Sequence, residues 1–61
     1  MKSEWYVSSQ YLAGEKHYIA ERMLDKQKIK HSGNIEHEGI YSTDRAQVQA
    51  LVDELNAQEE P

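Results

Sequence analysis

Residues 42–58, STDRAQVQALVDELNAQ, place Val48, Leu51, Val52 and Leu55 at i, i+3, i+4 and i+7. That spacing gathers four large aliphatics on one side of a helix. Ser42 or Thr43 can cap the helix start by accepting an orphan backbone N–H, with Asp44 at the positive end of the helix dipole. Asn56 is suited to the left-handed conformation that closes a helix, so the helix is expected to end near 56–58. Asp53, Glu54, Glu59 and Glu60 have the wrong sign for a helix C-terminus. The rest of the chain must supply a surface on which a narrow apolar stripe can lie.

Little chain is left to build that surface. At 61 residues the sequence reads as a single small domain spanning 1–61, with residues 1–4 and 58–61 expected to fray. Below roughly 70–80 residues a single core rarely supplies more than about 3–5 kcal/mol. The absence of cysteine removes disulfides and thiolate metal sites. Tight packing or association remains. A net charge of −4 argues against a general polyanion binder. No apolar run in residues 1–10 is long enough for a signal peptide or a membrane span, so the expected location is cytoplasmic, without membrane association.

Two runs rich in aromatic and β-branched residues precede the helix, WYVSSQYL (5–12) and KHYIAERML (16–24), with Ala13-Gly14-Glu15 between them. This is a hairpin signal. Pairing Leu12 with His17 puts Trp5, Val7, Tyr11, Tyr18, Ala20 and Leu24 on one face, with Ser9 and Arg22 as polar exceptions. That face is the better floor for the helix. The other face mixes Tyr6, Leu12, Ile19 and Met23 with Ser8, Gln10, His17 and Glu21. Residues 25–31 (DKQKIKH) read either as a lysine-guarded edge strand or as a solvated connection. Ser32-Gly33-Asn34 is a turn triplet. Residues 35–41 (IEHEGIY) read as a further strand with a bulge at Gly39. Tyr41, just before the cap, is placed to fix the entry angle of the helix. The expected fold is α+β: an antiparallel sheet of three to four strands with one C-terminal helix on one face, ββ(β)βα.

Motifs for chemistry are sparse. His31 and His37 flank the turn near Glu36 and Glu38, yet along a strand His37 points opposite to both acids, so the tripeptide cannot chelate as a unit. There is no HExxH, glycine-rich phosphate loop or GxSxG. No catalytic residue, metal or cofactor is assigned, and the chain does not read as an enzyme. The outer sheet face, with Tyr6, Leu12, Ile19 and Met23, carries more apolar area than so small a monomer should leave wet. It is the candidate surface for another protein or a second copy of the chain. Lys26, Lys28 and Lys30 are the alternative, a nucleic-acid contact that tracks a phosphate backbone. The acidic balance and the presence of only two arginines, Arg22 and Arg45, weigh against it.

The run GIYSTDRAQVQALVDELN (39–56), preceded by hairpin strands of this type, resembles small uncharacterised domains of bacteria and their phages. That resemblance implies an accessory or regulatory protein of a mobile element and carries no catalytic residues. The chain is also similar in layout to the arm-binding domains of phage-type integrases, a three-stranded sheet plus a helix, but lacks their basic, arginine-bearing sheet.

Overall fold

The computed structural model describes residues 2–58. Three strands, β1 (Tyr6–Leu12), β2 (Glu15–Met23) and β3 (Ile35–Ser42), form an antiparallel sheet in the order β1-β2-β3. One helix, α1 (Arg45–Gln58), packs across one face. No helix among the described residues is long and apolar enough to cross a membrane. Of the ends expected to fray, Met1 and residues 59–61 lie outside the described residues. Ser3 is bonded on both sides to Met23, and Gln58 is still helical.

The hairpin is tighter than its sequence suggested. Leu12 pairs with Glu15, not His17. Ala13 (φ 53°) and Gly14 (φ 83°) form a two-residue turn with both central residues at positive φ, the turn whose twist matches that of the flanking strands. Ala13 carries the strain of that geometry without being glycine. The register moves by two residues, and a shift of two preserves the faces. Trp5, Val7, Tyr18 and Ala20 therefore do form the helix floor, meeting Val48, Leu51, Val52 and Leu55. Tyr11 and Leu24, expected on the same floor, are exposed because they lie beyond the reach of the helix.

Residues 25–31 are not a strand. Asn34, buried at 5% exposure, holds this segment as an irregular loop. Its side chain accepts from Asp25 N (2.9 Å) and donates to the carbonyls of Asp25 (2.9 Å) and Ile29 (3.1 Å). The expected turn triplet is a single 3₁₀ turn, Ser32–Asn34, capped by His31, whose Nδ1 accepts from Gly33 N at 3.1 Å.

The bulge at Gly39 is present and large. Tyr18 faces Ser42 and Ala20 faces Glu38, so two steps on β2 correspond to four on β3. Gly39 takes φ 84°, and a Cβ there would sit 3.0 Å from Leu51 Cδ2. The positive φ favours glycine, and a side chain there would also have to displace the end of Leu51. After the bulge, Asp44 caps the helix, accepting from Ala46 N (3.1 Å) and Gln47 N (3.3 Å). Ser42, one of two expected caps, instead accepts from Asp44 N at 3.1 Å and so orients the true cap.

At its other end the helix runs to Gln58, within the expected bounds, and Asn56 lies inside it and is not its terminator. The Asn56 side chain reaches the residue just ahead of β1 and engages the Trp5 backbone like a neighbouring peptide. Its Oδ1 accepts from Trp5 N (2.8 Å) and its Nδ2 donates to Trp5 O (3.1 Å). The Trp5 ring is buried, with the Arg22 guanidinium 4.5 Å from its centroid. Helix α1 thereby lies chiefly over β2 and β1 and only lightly over β3. Asn56→Ala should cost about 2 kcal/mol, two modest hydrogen bonds plus a backbone N–H left without its acceptor. Trp5→Ala should cost about 3–5 kcal/mol, enough to unfold a domain of this size. Thermal melts check both, with a shift of about 4–8 °C expected per kcal/mol.

Candidate functional site

The pairing register sets one residue from each strand in a row across the outer face: Tyr6 opposite Glu21, and Glu21 opposite His37. The row is a hydrogen-bonded cluster. Tyr6 Oη donates to Glu21 Oε2 at 2.7 Å, His37 Nε2 lies 2.9 Å from Glu21 Oε1, and Lys30 Nζ lies 3.0 Å from Oε2. Lys30 reaches this point from the loop and also stands 5.2 Å over the Tyr6 ring. The Glu21 residue is only 3% exposed. Burial alone would raise its pKa, but the donors Tyr6, Lys30 and His37 and the charge of Lys30 outweigh burial and hold it at about 2. The same contact with Glu21 raises the pKa of Lys30, while burial and then Glu21 raise that of Tyr6. A carboxylate so firmly ionised and enclosed by donors is a weak proton acceptor, and the row is built to hold charge in place.

The candidate surface residues fall around this row. Tyr6, Leu12 and Met23 are half-buried, but Ile19 is only 5% exposed. From β3, Tyr41 Oη donates to Gln10 Oε1 on β1 at 3.2 Å, so its side chain crosses the central strand close to Ile19. The Tyr41 ring also lies 6.4 Å from that of His37. Tyr41 thus lies across the outer face, is itself exposed, and also borders Gln47, Val48 and Leu51 near the helix start. The lysines are not presented as a row: Lys26 and Lys28 are exposed on a turn, whereas Lys30 is held by Glu21. His31 is occupied with its cap and His37 with Glu21, and Glu36 lies on the opposite face against Arg22. No cluster of three His, Cys, Asp or Glu side chains among the described residues could hold a metal ion.

The open feature is on the helix side, at the edge of the sheet. Between residues 39–42 of β3 and Gln47, Val48 and Leu51 of α1 lies a cleft of about 360 Å³. Ile40, on its rim, is 84% exposed. Sequence reasoning missed both sites. The row depends on the strand register, and the cleft depends on where Asn56 draws the helix. Comparisons with protein-family models, with curated proteins and with solved structures find no match.

The acid side of the stability profile tests the row. Glu21 has a folded-state pKa of about 2 against an ordinary value of 4.5. The stability it contributes is present in full above the ordinary value and is lost as pH falls from there through 2. Glu36, held down first by its hydrogen bond from Arg22, and Asp25, by its bond from Gln27 N, act in the same direction. The informative quantity is therefore the difference made by one substitution. Glu21→Gln should take up roughly one proton fewer on unfolding and give a shallower fall in melting temperature across that window. Parallel profiles for the two proteins would remove Glu21 from this role.

Proposed function

We propose that the chain is a non-enzymatic protein-interaction module working through the β3 edge and the cleft beside it. The observation that carries this reading is the exposed Ile40 on an edge strand, next to an open cleft with aliphatic side chains from the helix. A small soluble domain gains nothing from a wet isoleucine beside unpaired strand backbone, and such edges are sites where another chain can pair. On the outer face, the other candidate surface, Tyr6 and Tyr41 are already engaged in hydrogen bonds. The resemblance of residues 39–56 to small bacterial and phage domains supports an accessory or regulatory role in such an element.

Site-specific photo-crosslinking tests the reading. A benzophenone side chain at Ile40, in cells of the source organism, should give discrete protein adducts. The same probe at Ala46, exposed on the back of the helix, should give none. Equal labelling from both positions, or none from Ile40, would overturn the proposal.

A further inference from the structure

We infer that the occupant of this edge is an extended segment of another protein, added to β3 as a fourth strand, with alternate apolar side chains and lysine or arginine between them. The inference rests on the interaction-module reading and specifies its ligand.

Three observations converge on it. First, β3 is an edge strand, and among the described residues no backbone hydrogen bond reaches its outer side. Its sequence, IEHEGIYS, has no lysine or proline, and what guards this edge is acidic charge and the Gly39 bulge. Second, the cleft lies along this edge and on the helix side, where alternate side chains of an added strand would fall. Main-chain bonding to an edge with pockets for every second side chain is the general geometry of strand addition.

Third, acidic side chains predominate around the cleft, against one cation on the sheet, Lys16, which stands over the ring of Tyr18 opposite Ser42. Glu38 is on β3 on the helix side, opposite Ala20. Asp44 and Glu54 lie three residues before Gln47 and three after Leu51, on the same flank of α1. All three are exposed, and none has an ion pair among the described residues. Arg45, the cation nearest in sequence, is displaced from that flank by the helical turn, toward the side of Asn56. A strand carrying cations between its apolar positions would meet these carboxylates. A second copy would not, because pairing β3 with β3 brings two such acidic sets together in a chain of net charge −4.

The test uses the full chain and a pool of synthetic heptapeptides in which apolar and charged positions alternate. Half of the pool carries Lys or Arg at the charged positions and half Asp or Glu. Basic members should be enriched on the wild type. In the presence of the best of them, amide exchange should slow along β3 and remain unchanged along β1. An N-methylated copy of that peptide, unable to complete the strand ladder, should not protect β3. Reversing two charges with Glu38→Lys and Glu54→Lys should weaken binding by about tenfold, and rising salt should do the same progressively. Ile40→Asp, at an exposed position, should abolish binding without lowering the melting temperature.

Equal enrichment of acidic peptides, or no enrichment, would overturn the basic-strand proposal. If Ile40 still gives discrete crosslinks in cells, the interaction reading survives that result. Protection confined to the outer face would move the ligand to the Tyr6–Glu21–His37 row. Concentration-dependent protection of β3 without peptide, with a doubled mass in sedimentation, would make the occupant a second copy.

Discussion

The contact between Asn56 and Trp5 determines where everything else lies. It joins residues 51 apart and ties the last turns of the helix to the start of the first strand. The Asn56 amide supplies one donor and one acceptor to a backbone that would otherwise meet only solvent or a neighbouring strand. The Arg22 guanidinium covers the Trp5 ring and bonds to Glu36 on β3. A single aromatic residue outside the regular strand thus links the helix, the hairpin and the edge strand. Its indole N–H finds no acceptor among the described residues, a cost tolerated because the ring anchors so much of the core.

Holding the helix over β1 and β2 leaves β3 only half covered. The chain between β3 and α1 must still return from the sheet edge to the helix start, and the Gly39 bulge makes that possible. Its positive φ and missing side chain let Leu51 lean over the strand. The cleft is what remains between that lean and the edge. A side chain at position 39 would push Leu51 away and strain the backbone, so one glycine sets both the path of the chain and the shape of the opening.

The parts of the fold that depend on periodicity were legible in the sequence. The stripe Val48, Leu51, Val52, Leu55 identified the helix, and alternation in the two hairpin strands identified its floor. Alternation cannot distinguish registers that differ by two, which is why the Ala13-Gly14 turn was drawn too long. It also cannot show what a polar side chain bonds to across the fold. Asn56 read as a helix terminator and Asn34 as a turn residue, yet each is a clamp between distant segments. Glu21 read only as one polar residue of the outer face, although with the correct register Tyr6, Glu21 and His37 fall in line. The cleft had no signature of its own beyond an isoleucine next to Gly39.

The two faces of the sheet solve the problem of small size in different ways. The helix side buries aliphatic and aromatic area, the usual source of stability. The outer side has no second layer to bury it, and its apolar residues would be wet if they stood alone. Instead a buried carboxylate gathers a tyrosine, a lysine and a histidine, and a second tyrosine crosses the central strand beside Ile19. Such a cluster is stable only when every member is satisfied, because a buried charge without partners costs far more than its pairing returns. The three donors on Glu21 meet that condition, and the loop carrying Lys30 is held to the sheet as a result. With one face under a helix and the other under its own side chains, the sheet keeps an open cleft along its β3 edge.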